Sequence, residues 1–187
     1  MKMSLYILIL AFITSCGNLN EPAKTADKDI TPVAVQNSVE QKDMLIGEFT
    51  KEDLQKPPFE SWFKSGYDNF KPSAEAMETI KNNISGYEIM VFMGTWCPDS
   101  RREVPKLLKI LDEAGYDLSN LTMVGVSRSK TTPEKIEEDW DLNRVPSIIF
   151  IKDGEEINRF VEYPRETIED DIAKIVSDQD YKNSYLN

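Results

Sequence analysis

The 187-residue chain contains no histidine and two cysteines, Cys16 and Cys97. Without imidazole there is no Cys–His or Ser–His catalytic pair and no histidine metal ligand. Two distant cysteines make no zinc site, and the sequence predicts no metal and no cofactor. Basic charge is also short, with 22 Lys and Arg against 33 Asp and Glu and a net charge of −11. That balance argues against nucleic acid as a partner, and against binding anionic lipid headgroups by charge. A long apolar run is missing as well. Leu5 to Ile13 is roughly half the ~20 residues that a membrane-spanning helix needs. No internal repeat is present.

What the N-terminus does have is an export pattern. Lys2 precedes the apolar run, and small residues follow it, so residues 1–15 read as a signal peptide. The ending Ile13-Thr14-Ser15-Cys16 resembles a bacterial lipobox, which implies cleavage before Cys16 and lipidation of its thiol. An ordinary secretory signal is the alternative. An acylated Cys16 is unable to resolve a disulfide on Cys97, and several acyl chains on one residue hold a protein firmly at a membrane surface. Residues 17–43 mix Asn, Glu, Pro, Lys, Thr, Asp and Gln without aromatics or period. With Cys16 they form a flexible tether, 16–43, with a reach of roughly 25–30 Å. Residues 44–178 are expected to form one domain, and residues 179–187 a frayed polar tail.

Within the domain, Trp96-Cys97-Pro98-Asp99-Ser100 leaves an apolar run and enters a helical pattern. It offers one exposed-looking thiol at a strand-to-helix junction. Around it, Phe59, Trp62, Phe63 and Phe70 lie among polar residues and suggest a helical N-terminal cap or core, with a peptide groove as the alternative. Ser73 caps a helix running to about Asn83, with Ala76, Met77 and Ile80 inward. Ile89 to Met93 suits a buried parallel strand. Pro98 to Ala114 carries Val104, Leu107, Leu108 and Leu111 at helical spacing, and Gly115 stops it. Leu121 to Val126 reads as a strand. Thr132-Pro133-Glu134 opens another helix with a cap and a first-position proline. Ser147–Ile151 and Glu156–Phe160 form a hairpin across Lys152-Asp153-Gly154-Glu155. Thr167 to Val176 supplies the last helix. The order predicts an α/β fold, a central mixed sheet flanked by helices, with an N-terminal helical extension.

That order, with these residues, resembles the thioredoxin-like family over roughly residues 84–177. Pro105, eight residues after Cys97, matches the proline that kinks the family's first active-site helix. Val145-Pro146 resembles the aliphatic–cis-proline pair that faces the thiol, with Trp140 and Leu142 ahead of it. Ile148 to Glu155 resembles the following strand and turn. With the lipobox and the acidic exported domain, the likeness is to membrane-tethered, TlpA-like proteins of Gram-negative bacteria. The resemblance implies catalytic roles for Cys97, Ser100 and Pro146, and contacts from Trp96, Pro98, Asp99, Arg101 and Val145. Three positions depart from the pattern. Ser100 stands where a resolving cysteine belongs, Val91 where the family has a buried acid, and Glu162-Tyr163 where many members have a glycine.

The first two departures touch the same half-reaction, resolution of a mixed disulfide. The attacking half is intact in the sequence. Cys97 at a helix N-cap, with Pro98 next, lies where free N–H groups and the dipole favour thiolate. Ser100 is placed to donate a hydrogen bond to the sulfur, and Arg101 to add positive charge. Asp99 opposes them by like charge, and its other reading is helix capping. The expectation is a thiol of moderate rather than extreme acidity. Arg101 and Arg102 have a plainer reading as solvated helix-start residues. Arg128, in a polar loop past a strand's C-terminal end, is expected on the side where α/β folds place ligands; the plainer and favoured reading is an ordinary polar loop.

Three readings follow. One is a tethered single-thiol oxidoreductase that reduces, reshuffles or deglutathionylates disulfide- or cysteine-containing envelope proteins and needs an external thiol reductant. Another is a non-catalytic module that binds extended peptide by strand pairing. The third is an envelope scaffold with a vestigial cysteine. The place expected is the periplasm-facing envelope. Gly17, by analogy with lipoprotein sorting, favours the outer over the inner membrane.

Overall fold

The computed structural model describes residues 44–186. The signal peptide, Cys16 and most of the tether lie outside the described residues. The described chain runs β1 (Gly47–Phe49), α1 (Lys51–Leu54), α2 (Glu60–Asn69), α3 (Ala74–Asn83), β2 (Glu88–Met93) and α4 (Pro98–Ala114). It continues through β3 (Leu121–Gly125), β4 (Ser147–Lys152), β5 (Glu155–Val161) and α5 (Ile168–Val176). The five strands form one sheet in the order β1-β3-β2-β4-β5. β2 and β3 are parallel and every other pair is antiparallel, so the sheet is mixed.

The helices start where the sequence supplies caps. Ser73 Oγ accepts from Ala76 N at 3.2 Å and opens α3, which buries Ala76, Met77 and Ile80. Thr167 Oγ1 accepts from Asp170 N at 3.2 Å and opens α5. α4 begins with Pro98 at its first turn and ends at Gly115, whose φ of +69° is the left-handed C-terminal conformation that glycine adopts without strain. The β4–β5 turn places Asp153 and Gly154 both at positive φ, the geometry of a two-residue hairpin whose twist matches its strands.

β2 and β4 are apolar on both faces because both are covered. Ile89, Val91, Met93, Ile148 and Phe150 join the larger core with α3, α4 and α5. Phe92, Val124, Val126, Ile149 and Ile151 form a second cluster on the other face, and Cys97 and Val145 belong to it. Phe59 and Phe63 are buried in the larger core, with Trp62 and Phe70 packed against it, so these aromatics are core rather than groove. Gly66 of α2 lies against Pro105 of α4, where an added Cβ would come within 3.0 Å of the proline ring. A helix without a side chain there allows α2 to rest directly on Pro105.

Three expectations are corrected. β1 was not foreseen; three residues are too few for a period to show, and the strand exists because it pairs with the β3 edge, Gly47 opposite Gly125. The helix expected from Thr132-Pro133 is instead a turn followed by a short 3-10 segment, Ile136–Trp140. The cap itself operates, since Ile136 N donates to Thr132 Oγ1 at 3.0 Å and the Thr132 hydroxyl donates to Glu137 at 2.7 Å. Lys135 and Asp141, at φ of +59° and +46°, bound the segment on both sides and stop it from extending.

The third correction concerns the C-terminal tail, which is packed, not frayed. Tyr181 is buried and donates to Asp171 at 3.1 Å, and Asn158 Nδ2 donates to the Tyr181 carbonyl at 3.0 Å. Arg165 donates to the carbonyls of Asn183 and Leu186. Asp171 is fully buried; its Oδ2 accepts from Arg165 N at 2.8 Å, while Oδ1 has no partner. Burial pushes its carboxyl above the ordinary range near 3.8, against the opposing pull of the Arg165 N–H and the Tyr181 hydroxyl. In the window between those two values the folded chain holds a proton that the unfolded chain has released. Stability from this group therefore falls as pH rises through the window. Asp171→Asn should remove that slope. In urea-midpoint series from pH 4 to 8, the variant should gain on the parent as pH rises; parallel curves would refute the assignment.

Candidate active site

The second cluster carries the chemistry. β2 ends at Met93, and the chain crosses Gly94-Thr95-Trp96 before Cys97 caps α4. Cys97 N donates to Gly94 O at 2.8 Å, and its own carbonyl accepts from Arg101 N at 3.0 Å. Pro98, which lacks an N–H, takes the position where that donor has no intrahelical acceptor. The sulfur is less open than the sequence suggested. Cys97 is 6% exposed, and Sγ donates to the Val145 carbonyl at 3.3 Å. The Val145–Pro146 bond is cis, as the resemblance implied, and the hydrogen bond from Sγ to Val145 O sets the thiol against that loop.

Neighbouring candidates fall into different places. Ser100 is buried one turn after Cys97, but its Oγ accepts from Gly94 N at 3.2 Å, and that is its hydrogen bond rather than one to sulfur. Arg101 is turned away from the thiol. Its Nε donates to Thr95 O, and its guanidinium stands 5.8 Å from the Trp62 ring centroid. Asp99 is held by Arg102 at 2.7 Å, which offsets its repulsion of a second anion. Arg102 also binds Glu103, an acid of α4 that is 1% exposed and paired with Lys106 at 3.2 Å. Trp96 is fixed by its Nε1, which donates to Val126 O at 2.9 Å.

Two residues of the site were not singled out in the sequence. Gly94 is needed because an added Cβ would come within 2.5 Å of the Trp96 ring. Thr95 is fully buried and ties the loop to the N-terminal segment, its Oγ1 accepting from Leu45 N at 3.2 Å. The signal for both is a pair of small residues between an apolar strand and Trp-Cys. Beyond the cis-proline, Glu162 N donates to Pro146 O at 2.7 Å, with Glu162 itself at φ +64°. That conformation is the one a glycine takes at little cost, and here an acid holds it, braced by Arg144 at 3.2 Å and by the Tyr185 hydroxyl.

A family model described as Thioredoxin matches residues 60–175, more than half of the chain. The chain belongs to the thioredoxin family. A curated relative, thioredoxin H-type 1 of Nicotiana tabacum, is 27% identical over 99 residues, 52% of this chain and 74% of the relative. Among solved structures, a Pseudomonas aeruginosa protein of unknown function is 16% identical, with a TM-score of 0.42 over 63% of this chain and 76% of that one. A chain from a study of thiol resolution in yeast mitochondrial 1-Cys peroxiredoxin is 20% identical. It has a TM-score of 0.36 over 60% of this chain and 97% of that one.

Family membership and a cysteine capping α4 against a cis-proline together suggest function of the thiol–disulfide oxidoreductase type. Against the family pattern, Val91 is a fully buried member of the larger core, so the position of the buried acid is filled by apolar packing. Among the described residues no cluster of three or more Cys, Asp or Glu has the geometry to hold a metal ion. No described helix is long and apolar enough to cross a membrane.

Proposed function

We propose that the protein is a thioredoxin-like lipoprotein, TlpA-like in organisation, tethered through Cys16 to the periplasm-facing envelope, with the outer membrane favoured. Its Cys97 acts as a single-thiol nucleophile on disulfide- or cysteine-containing envelope proteins. One observation carries the reading: the helix-capping sulfur faces Val145–Pro146, and Ser100 occupies the place of a second sulfur.

In the first step the Cys97 proton leaves the Val145 carbonyl and the thiolate attacks one sulfur of the substrate disulfide. A bond forms between Sγ and that sulfur, the old S–S bond breaks, and the departing thiolate takes up a proton. Ser100, a hydroxyl engaged by Gly94, does not complete the second step. An external thiolate attacks the substrate's sulfur in the mixed disulfide, a new S–S bond joins the two, and Cys97 leaves as thiolate, so the electrons come from the external thiol. This stoichiometry suits reduction, reshuffling or deglutathionylation better than net oxidation.

A second reading has its own support. The thiol is nearly covered and hydrogen-bonded, which also suits a non-catalytic peptide-binding domain with the same groove. The test is adduct formation on the reduced full chain with a peptide disulfide, mapped by mass spectrometry. The single-thiol reading expects one adduct on Cys97, released by added thiol and absent in Cys97→Ser. Peptide binding without adduct would replace it by the second reading.

A further inference from the structure

The rim around Cys97 is charged, and its charges are not equally satisfied. Asp99 is paired with Arg102 at 2.7 Å and Glu162 with Arg144 at 3.2 Å. Arg128 is exposed, and its guanidinium stands over the Trp96 ring, 5.5 Å from the centroid. Among the described residues no carboxylate pairs with it, in a chain with 33 acids. Its neighbour is instead the ring of Trp96, the residue that precedes the nucleophile.

Its position is held from both sides. The Ser127–Thr131 loop closes on itself, with Ser127 N donating to Thr131 O at 3.0 Å and Lys130 N to Ser127 O at 2.8 Å. The Ser127 hydroxyl lies 2.9 Å from those of both Ser129 and Thr131. The shelf beneath Arg128 is the Trp96 ring, fixed through Val126 O and adjacent in the chain to the nucleophile. A positive charge over the ring of the residue next to the reacting cysteine acts on any substrate group that carries charge near its own sulfur.

We propose that Arg128 makes the Cys97 site selective for disulfides bearing a carboxylate close to the sulfur. The inference rests on the single-thiol reading above and names its substrate class. In the selected step the anionic group approaches the guanidinium while Sγ bonds to the nearer sulfur; the S–S bond breaks and the other thiolate leaves with the electron pair.

The test uses the reduced full chain with three low-mass disulfides: dithiodipropionate (anionic), hydroxyethyl disulfide (neutral) and cystamine (cationic). Adduct formation on Cys97 is timed by mass spectrometry, and each rate is divided by that of N-acetylcysteinamide, a reference thiol without a carboxylate, with the same reagent. A fourth arm compares peptide disulfides carrying Asp or Asn beside their cysteine, which separates a peptide source of the charge from a low-mass one. The anionic-to-neutral ratio should exceed one, fall about three- to tenfold in Arg128→Gln and recover in Arg128→Lys. It should also shrink in 1 M salt, where the screening length is about 3 Å. Equal ratios in the parent and Arg128→Gln would overturn the selectivity while leaving the thiol reading intact. Failure of all three reagents to form an adduct would overturn the thiol reading, and this inference with it.

Discussion

Ser100→Cys should turn this single-thiol site into a self-resolving one. The two positions are one helical turn apart at the start of α4, with Cys97 as N-cap and Ser100 in the first turn. A second sulfur there attacks the mixed disulfide intramolecularly, at an effective concentration of at least ~1 mM. Against an external thiol at about 10 µM, that shortens the adduct lifetime about a hundredfold or more. The structural cost is small. The substitution weakens one hydrogen bond, from Gly94 N to the Ser100 hydroxyl at 3.2 Å, which is worth ~0.5–1.5 kcal/mol. The measurement is a chase of the Cys97 adduct with and without added thiol. The parent should hold its adduct until thiol is added, and the variant should lose it unaided. An adduct that persists in a folded variant would mean that the two sulfurs do not meet, and that the family's two-cysteine geometry has been lost here beyond one side chain.

The second large effect concerns Gly125→Ala. An added Cβ at Gly125 would lie 2.2 Å from Leu45 O and 2.6 Å from Leu45 C, both backbone atoms that have no rotamer by which to yield. The N-terminal segment must move off the β3 edge. Over-packing of this kind costs about 2–3 kcal/mol, a fall in melting temperature of about 4–12 °C for a domain of this size. The displacement also takes Leu45 N from Thr95 Oγ1, so the loop before Cys97 loses its outer tie. The variant should therefore show both a lower urea midpoint and faster alkylation of Cys97. A lower midpoint with unaltered alkylation would show that the tie to Thr95 does not restrain the thiol.

Several of these features were legible in the residues alone, and the reasons are local. Caps, a helix-stopping glycine and an Asp-Gly turn act within a few residues of chain, so α3, α4, α5 and the β4–β5 hairpin carry their own signatures. The Cys97 to Val145–Pro146 pairing was accessible through the resemblance, because spacing and residue type at those positions are constrained together. What was not legible depends on distant partners. β1 is defined by the β3 edge, not by its own three residues. The burial of Tyr181 depends on Asp171 and Asn158, and a polar tail gives no sign of that. The turning of Arg101 toward Thr95 and Trp62, rather than toward sulfur, likewise follows from a helix packed against α4 from far upstream. Lys135 and Asp141 in the left-handed region overrode a good helix start, a case in which backbone conformation outweighs capping chemistry.

The Leu45 and Tyr185 segments are each tied to a loop next to the thiol site. Leu45 is bonded to Thr95, two residues before Cys97, and Tyr185 is bonded to Glu162, which in turn is bonded to the cis-proline loop. A short handle joined directly at Leu45 or Tyr185 therefore lies close to these loops, whereas a long tether, such as the sequence predicts for residues 16–43, does not hold its far end there. The Asp153-Gly154 turn belongs to the hairpin and is free of these loops. A label or a tether to a sensor chip placed there leaves the groove open.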